Sequence, residues 1–440
     1  MNHALAGPAR ACFIPPMIEG NVMTIFLVLA LFLLWKLDFV ATLLNLKAFP
    51  SQVPQELDSL LDEEKLSKAR DYQRINARFD IVQSVVTLMI LLTFWLMGGF
   101  QWLDGVAQQI ASQFKEHYII IGLIYISAIF IGQNLIQIPF SYYSTFVIEE
   151  RFGFNRSTRS TFIADRFKGL MLAGILGLPL ITALLGIFHE VDRAWLWAWL
   201  VVTALQLLLA WLAPTYILPL FNKFTPMEPG TLKDEIETLG EKCGFPLEEV
   251  FVMDGSKRTS KANAFFTGFG KRKKIALFDT LIDNSSREEL LSVLAHEIGH
   301  FKRGHIKQRL VAGIIQTAVI FFLLGAAIDP EGPVAAHLFS AFGVSSISPH
   351  VGLVIFMILL EPVTRLLGIA LNAWSRKHEY EADAYAIEMT GGADALCDAL
   401  RKMTADQLSH PTPSKLRVAL DYSHPPLIER LRAMRAIKQS

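Results

Sequence analysis

The pentapeptide His296-Glu297-Ile298-Gly299-His300 is the most informative stretch of this chain, because its spacing is typical of a metal-binding helix. On a helix, residues i and i+4 lie on one face, so the two imidazoles stand one turn apart with a carboxylate beside the first. Two neutral histidine nitrogens suit a zinc ion, and the glutamate is placed to take a proton from a water molecule held by the metal. The competing interpretation is a solvated helix face that carries two unrelated histidines.

The flanking residues predict a helix around this motif. Asn284-Ser285-Ser286 followed by Glu288 and Glu289 is typical of a helix N-cap with a capping box. Apolar residues then recur at helical spacing: Leu290, Leu291, Val293, Leu294 and Ile298. A helix packed firmly from behind would hold the metal-binding face rigidly, as catalysis requires.

The composition excludes an ordinary soluble protein. Of 440 residues, 52% are hydrophobic and only 19% are charged. The formal net charge is zero, so we expect no nucleic-acid partner. Cys12, Cys243 and Cys397 are isolated from one another and have neither metal-binding nor redox spacing.

Apolar residues are concentrated in segments long enough to cross a bilayer, which takes roughly 20 residues in a helix. We therefore predict a mainly α membrane protein with seven transmembrane helices. The segments lie at about 22–35, 81–100, 118–138, 170–188, 194–220, 310–328 and 351–373.

Basic residues alternate between the loops and predict the topology. The loops after helices one and three are rich in them: Lys47, Lys65, Lys68, Arg70, Arg74 and Arg78, then Arg151, Arg156, Arg159, Arg166 and Lys168. The loops after helices two and four carry Lys115 and Arg193, and the loop after helix six carries none. The positive-inside rule then places the N-terminus outside or in a lumen, and the catalytic domain and the C-terminus in the cytoplasm.

This topology divides the chain into four parts. Residues 1–220 hold an N-terminal segment and helices one to five, and residues 310–373 hold helices six and seven. Residues 221–309, with the metal motif, and residues 374–440 lie on the same side and can form one catalytic domain. Short runs at 249–254, 262–269 and 273–279 predict strands, so this domain is expected to be α+β.

A catalytic zinc ion usually has three protein ligands, so a third must come from elsewhere. After helix seven the chain reads Ser375-Arg376-Lys377-His378-Glu379-Tyr380-Glu381-Ala382-Asp383. On a helix, Glu379 and Asp383 share one face, so Glu379 can bind the metal and Asp383 can accept a hydrogen bond from a ligand histidine. Spacing alone equally fits a charged helix leaving the membrane. His378 is a rival ligand, although it points about 100° away from Glu379.

Together the two segments resemble those of the type I CAAX prenyl proteases, which are integral-membrane zinc metalloproteases. The resemblance runs from about residue 20 to the C-terminus and includes the helix count and the place of the catalytic domain between helices five and six. Further similar stretches are Ile148-Glu149-Glu150-Arg151-Phe152-Gly153-Phe154-Asn155, Ser256-Lys257-Arg258, Ala262-Asn263-Ala264-Phe265-Phe266, Leu277-Phe278-Asp279-Thr280-Leu281 and Tyr422-Ser423-His424-Pro425-Pro426-Leu427-Ile428-Glu429-Arg430.

The resemblance implies a role for individual residues. It implies one zinc ion (Zn²⁺) per chain, with Glu297 as the general base and Asp383 supporting a ligand. The implied ligands are His296, His300 and Glu379. It also implies that His424 and Arg430 stabilise the oxyanion, although the residues alone favour a helix-entry histidine and a surface charge. Asn263 and Ala264 match the edge strand on which a peptide substrate would lie.

The resemblance further implies a fold and a reaction. Seven helices would enclose a water-filled chamber, with a zincin-like catalytic domain on the cytoplasmic side. The enzyme would be a membrane-embedded zinc endopeptidase that removes the C-terminal tripeptide of proteins or peptides prenylated at a C-terminal CAAX cysteine. Its surroundings would be the lipid bilayer of a bacterial inner membrane or, in a eukaryote, the endoplasmic reticulum.

Two other functions compete with this one. A quality-control zinc protease would cleave membrane polypeptides without a need for prenylation. A binding or transport protein that has lost catalysis is disfavoured, because every expected ligand and Glu297 are present.

Two groups of polar residues lie within or beside the predicted membrane segments. Glu361 and Arg365, four residues apart in helix seven, predict an internal salt bridge or a lining of the chamber. The segment Glu149–Asn155 is expected to shape access to the site, with no chemistry assigned to it.

Overall fold

The structure, a computed structural model, describes residues 21–58, 60–114, 117–267 and 273–437. The first twenty residues of the predicted N-terminal segment lie outside these ranges. The described residues between Val22 and Phe221 form mainly α-helices: α1 (Val22–Lys47), α2 (Glu63–Leu96), α3 (Gly99–Ala111), α4 (His117–Tyr143), α5 (Glu150–Phe152), α6 (Arg159–Glu190), α7 (Ala194–Leu212) and α8 (Leu218–Phe221). The π-helical turns Ser144–Glu149 and Ala213–Ile217 join α4 to α5 and α7 to α8.

The chain after α8 forms a small sheet with three further helices. Its elements are β1 (Phe224–Pro226), α9 (Thr231–Lys242), β2 (Leu247–Met253), β3 (Ala264–Thr267), β4 (Lys273–Phe278), α10 (Asp279–Asn284) and α11 (Arg287–Lys302). The strand order is β1-β2-β4-β3; β2 and β4 are parallel, and the outer strands pair antiparallel. The sequence does not predict β1, because three residues are too few for a periodic pattern. Residues 268–269 of the predicted third strand lie outside the described residues.

The remaining chain is helical again. Its elements are α12 (His305–Ile328), α13 (Ala335–Ala341), α14 (Pro349–Thr390), α15 (Asp394–Asp406), α16 (Lys415–Asp421) and α17 (Leu427–Ile437). Helix α14 has 42 residues and continues without a break from the seventh apolar segment through Glu379 and Asp383. One continuous helix therefore connects the seventh apolar segment to Glu379, the third candidate ligand.

The predicted number of membrane helices is confirmed. Seven helices in the described part of the chain are long and apolar enough to cross a membrane: Val22–Lys47, Glu63–Leu96, Tyr118–Phe152, Arg159–Glu190, Ala194–Phe221, His305–Ile328 and Pro349–Thr390. Most extend beyond the apolar segment that predicted them. Helix α2, for example, begins well before Ile81 because Asp62 caps it by accepting a 2.7 Å hydrogen bond from the Lys65 amide.

The two segments 221–309 and 374–440, called here the first and second portion, contribute to one hydrophobic core. Ile236, Val250 and Leu277 from the first portion are each at most 1% exposed. They share a cluster with residues of the second portion: Ala386, Ile387, Leu396, Cys397, Leu431 and Met434. Burial of apolar surface is the main force that holds such a core together, so this core brings α14 and α17 against α11.

The opposite end of the helix bundle has its own buried contacts. Trp95, which is fully buried, stacks on Phe342 with ring centroids 4.0 Å apart, and its indole donates to the Ala341 carbonyl at 2.9 Å. Asp104 of α3 lies 2.7 Å from His350 Nε2 at the start of α14. These contacts close the end of the bundle away from the metal motif.

The salt bridge predicted between Glu361 and Arg365 is wrong, although both residues are described. The guanidinium of Arg365 instead contacts Asp38 of α1, and it lies 2.5 Å from Asp421 of α16. Arg365 of α14 therefore links α14 to α1 and α16, instead of pairing with a residue one turn away on α14.

Candidate metal centre and active site

The helix that carries the pentapeptide is fixed at its start by its own cap. The Ser286 hydroxyl accepts a hydrogen bond from the Glu289 amide at 3.2 Å, and the Glu289 carboxylate accepts one from the Ser286 amide at 2.7 Å. The predicted capping box is therefore confirmed. Leu290, Leu294 and Ile298 are each at most 2% exposed and attach the opposite face of α11 to the core.

A glycine allows α11 and α14 to approach each other closely at the motif. A Cβ atom at Gly299 would lie 3.2 Å from the Ala382 Cα and carbonyl oxygen. This approach puts the histidines of α11 opposite the acidic face of α14, so Ala382 lies between Glu379 and Asp383 in sequence and against Gly299 in space.

Three side chains converge at this crossing. The Nε2 atoms of His296 and His300 lie 3.3 Å apart. Glu379 Oε2 lies 3.4 Å from His296 Nε2, and Glu379 Oε1 lies 3.3 Å from His300 Nε2. Donor atoms about 2 Å from a shared tetrahedral zinc ion would be roughly 3.3 Å from one another, so the three side chains fit such an ion.

The charges at the crossing favour a cation. Burial alone would lower the pKa of His296, but hydrogen bonds to Asp383 and Glu379 raise it to about 9. Burial also raises the pKa of the Glu297 carboxyl, while His296 and His300 oppose that shift. The Asp383 and Glu379 carboxylates therefore stabilise a positive charge on His296.

Asp383 orients the first histidine. Its Oδ1 lies 2.8 Å from His296 Nδ1, which directs Nε2 toward the other two ligands. Arg430 in turn donates to both oxygens of Asp383, at 2.9 Å from Nε and 2.5 Å from Nη2. All three side chains are at most 9% exposed. A bidentate arginine–carboxylate pair of this kind fixes orientation as well as charge.

Sequence reasoning missed the residue that orients the second histidine. His305 Nδ1 lies 2.9 Å from His300 Nδ1, and its Nε2 lies 2.9 Å from Glu381 Oε2. Gly304 lies between α11 and α12 in the left-handed conformation, at φ +74°. The resulting change of direction brings His305, the first residue of α12, back toward His300. Helical spacing cannot reveal a partner across such a break.

His378, the rival third ligand, lies outside the cluster. Its ring stacks on His305 with centroids 3.9 Å apart, and its Nε2 is 3.2 Å from Gln308 Oε1. Among the described residues, the group able to hold a metal consists of His296, His300 and Glu379.

The tail residues approach the same centre from α17 and the turn before it. His424 Nδ1 lies 3.4 Å from Glu379 Oε2, and its side chain is 59% exposed. Arg430 Nη1 lies 3.8 Å from the same Glu379 oxygen. Arg309, which sequence reasoning also missed, has its Nη2 3.9 Å from Glu379 Oε1.

The candidate substrate residues lie at an edge of the sheet. Ala264 begins β3 opposite Leu277 of β4, and the other side of β3 has no partner strand among the described residues. Asn263 is exposed; its side-chain oxygen accepts from the Ala264 amide at 2.9 Å, and its carbonyl accepts from Phe278 at 3.1 Å. An unpaired strand edge can bind an extended peptide through its backbone.

The fold and the site together define a class of protein. The described chain combines seven candidate membrane helices with a possible metal-binding set, His296, His300 and Glu379, and the half-buried carboxylate of Glu297 follows His296 directly. This chain is an integral, multi-pass membrane metallopeptidase.

Comparison with known proteins names the family. Residues 42–223 match the domain described as the CAAX prenyl protease N-terminal domain with five membrane helices, and residues 226–438 match peptidase family M48. The chain belongs to the CAAX prenyl protease group of this family. The mainly helical fold and the family predicted from the sequence are thereby confirmed.

Individual relatives cover most of the chain. A CAAX prenyl protease 1 homolog of Arabidopsis thaliana is 36% identical over 389 residues, which are 87% of this chain and 90% of that protein. CAAX prenyl protease 1 of Saccharomyces cerevisiae is 35% identical over 411 residues, or 88% of this chain and 89% of that protein. The crystal structure of S. mikatae Ste24p superposes with a TM-score of 0.86 at 33% identity and covers 93% of this chain and 98% of its own.

Proposed function

We propose that the chain is a zinc endopeptidase that removes the C-terminal tripeptide of prenylated CAAX proteins. The observation that carries the proposal is the convergence of His296, His300 and Glu379 beside Glu297. One zinc ion per chain would be held by those three side chains. Bound there, it would supply Lewis acidity, which polarises a carbonyl group and makes water easier to deprotonate.

The protein's own residues would move the protons. Glu297 would take a proton from the attacking water and deliver it to the leaving amine nitrogen. Partial burial raises the pKa of the Glu297 carboxyl, so its carboxylate accepts a proton more readily than that of an exposed glutamate.

The tail residues would stabilise the negative charge that develops on the substrate oxygen. His424 is exposed enough to donate a hydrogen bond to a substrate while staying within 3.4 Å of Glu379. Arg430 directs two nitrogens to Asp383, which leaves Nη1 facing Glu379. Fixed donors of this type act without reorganisation during the reaction.

The substrate is proposed from the edge strand and the family. An extended peptide would pair with β3 at Asn263 and Ala264, next to α11. Relatives that cover most of the chain are named CAAX prenyl proteases, which supports a prenylated C-terminal cysteine in the substrate. The lipid would enter the chamber that the resemblance implies.

The proposed topology places this site in the cytoplasm. The basic loops contact the catalytic side of the molecule: His410 Nε2 lies 2.8 Å from the Asn45 carbonyl oxygen, and Arg258 pairs with Asp165 at 2.8 Å. The segments poor in basic residues meet at the opposite end, where Gln101 accepts from the Ser345 amide at 2.8 Å. The alternation of charge therefore coincides with the two ends of the bundle. We propose that the protein lies in the inner membrane of a bacterium or, in a eukaryote, in the membrane of the endoplasmic reticulum.

Matched peptides test the proposed substrate. The full chain, loaded with zinc, would be given a peptide ending in a CAAX sequence with and without a farnesyl group on the cysteine. We expect mass spectrometry to show release of the terminal tripeptide, with the prenylated peptide cleaved at the higher kcat/KM.

Other results would exclude this assignment. Equal cleavage of both peptides would favour the quality-control protease, and cuts at scattered internal positions would do the same. A double variant, His296→Ala with His300→Ala, serves as the control for contaminating peptidases, since cleavage that persists without these two candidate ligands does not come from the proposed site.

A further inference from the structure

The segment Glu149–Asn155, at the cytoplasmic end of the third membrane helix, contacts the residues just before β3. The Tyr72 hydroxyl of α2 donates to Glu149 Oε1 at 2.5 Å. The Lys261 ammonium donates to that hydroxyl at 3.1 Å and lies 3.0 Å from Glu149 Oε2. The three side chains thus close a ring of charged and polar contacts that links two membrane helices to a residue three positions before Ala264.

Two aromatic rings lie close to the lysine ammonium. Its Nζ lies 4.6 Å from the ring centroid of Phe154 and 5.5 Å from that of Tyr72. Tyr72 packs edge-to-face against Phe152 and Phe154, and these three rings are at most 8% exposed. An ion pair beside aromatic faces is better shielded from water than a surface pair, so its contribution is larger.

Backbone contacts extend the same attachment. The Ser260 amide donates to the Phe154 carbonyl at 3.1 Å, the Arg156 amide donates to the Arg258 carbonyl at 3.0 Å, and Asn155 forms an antiparallel bridge with Thr259. The Arg258 guanidinium also donates to both oxygens of Asp165 on α6, at 2.8 and 3.0 Å. Residues 258–261 are therefore held to the membrane helices at both ends.

We propose that Lys261 is a positioning residue: through Glu149 and Tyr72 it fixes the edge strand β3 against the membrane helices and so sets the affinity for peptide substrate. This rests on the proposed function, in which the peptide pairs with β3. If the strand is not held in advance, binding must order it, and that entropy cost weakens affinity. The Lys261 ammonium contacts Tyr72 and Glu149 of the membrane helices rather than the candidate metal ligands, so the chemical step should be untouched.

Enzyme kinetics on the full, zinc-loaded chain test the proposal. We expect Lys261→Met to raise KM roughly tenfold, the equivalent of one lost charge-assisted hydrogen bond, and to leave kcat within about twofold. Lys257→Met is the matched control, because Lys257 is an exposed lysine of the same segment. Lys261→Arg should recover part of the affinity, since it keeps the charge.

A double-mutant cycle sharpens the test. Glu149→Gln should raise KM in the same way, and the double variant should be little worse than either single one, because each removes the same contact. An unchanged KM for Lys261→Met would overturn the proposal. So would a joint fall in kcat and zinc content, which would show a general loss of structure.

Hydrogen exchange gives a readout that needs no substrate. Backbone amides of residues 262–267 should exchange faster in Lys261→Met than in Lys257→Met, and equal exchange would overturn the proposal. A wild-type chain that cleaves no peptide would contradict the proposed function, while the exchange comparison would still decide the role of Lys261.

Discussion

At the residue scale, the metal centre depends on side chains that each hold one neighbour in place. Asp383 holds His296, Arg430 holds Asp383, and His305 holds His300. Glu297 stands apart from this chain of contacts, because its proposed task is to move a proton rather than to orient a ligand. Variants of these residues should therefore separate chemistry from metal binding.

Glu297→Gln should abolish most activity without loss of zinc. The amide keeps the shape of the side chain but cannot accept the proton, and general acid–base groups typically contribute about 10²- to 10⁴-fold to the rate. Peptide cleavage and zinc content would be measured on the same preparation. Retained cleavage would exclude Glu297 as the base.

Glu379→Ala should remove zinc, whereas His378→Ala should not. Glu379 approaches both histidine Nε2 atoms within 3.4 Å, while His378 faces His305 and Gln308. The measurement is the zinc-to-protein ratio after dialysis. Stoichiometric zinc in Glu379→Ala, or its loss only in His378→Ala, would reassign the third ligand.

Asp383→Asn should weaken zinc binding and leave a folded protein. The amide is nearly isosteric, but it loses the charge that orients His296 and pairs with Arg430. Loss of such an outer partner typically lowers metal affinity about 10- to 100-fold. Competition with a chelator measures this affinity, and an unchanged affinity would show that Asp383 serves only the tail helix α17.

At the element scale, the site is a crossing of two helices. Helix α11 carries two of the candidate ligands and α14 the third, and Gly299 lets their backbones approach within contact distance. The third ligand is therefore positioned by packing over the whole crossing rather than by a loop.

Gly299→Val should disrupt the centre from within the motif, although no ligand is changed. A branched side chain would meet the Ala382 backbone, which cannot move aside as a flexible side chain can. We expect zinc loss and a lower unfolding midpoint. Gly105→Ala in α3, where a Cβ has open space, is the control and should retain zinc. If Gly299→Val kept its full zinc content, the close approach of α11 and α14 would not be needed for metal binding.

Local sequence patterns predicted those parts of the molecule that local forces determine. The capping box at Ser286 and the seven apolar segments need only neighbouring residues, and both are confirmed. The partners of Arg365, and the contact of His305 with His300, depend on how distant helices pack or on a left-handed glycine. Periodicity carries no information on either. Assignment of Glu379 over His378 likewise depended on the family resemblance, because spacing left both possible.

At the scale of the whole molecule, the two ends of the helix bundle differ in structure. One end holds the candidate metal centre and one shared core, while the far end is closed by α3, α13 and the start of α14. The Asp104 carboxylate is fully buried there and contacts both His350 and Gln108 at 2.7 Å.

Asp104→Ala should destabilise the bundle and spare the metal. It leaves the buried His350 without its carboxylate partner, which costs about 1–3 kcal/mol for an unsatisfied buried group. The thermal midpoint in detergent should fall relative to Ser112→Ala, an exposed position at the end of α3. Zinc content should stay at the wild-type ratio; zinc loss would show that the two ends are coupled.

The proposed topology predicts which end faces the cytoplasm, and single cysteines can test it. Seven crossings put the chain's ends on opposite sides, and the basic loops meet the catalytic end, so that end should be inside. In a chain with Cys12, Cys243 and Cys397 replaced, Ser112→Cys should react with a membrane-impermeant maleimide in intact bacterial cells. Lys257→Cys should react only after the membrane is opened. Both positions are exposed, so a difference between them reports the side of the membrane rather than burial. Labelling of position 257 alone in intact cells would invert the topology and place the zinc site outside, where cytoplasmic CAAX proteins could not reach it.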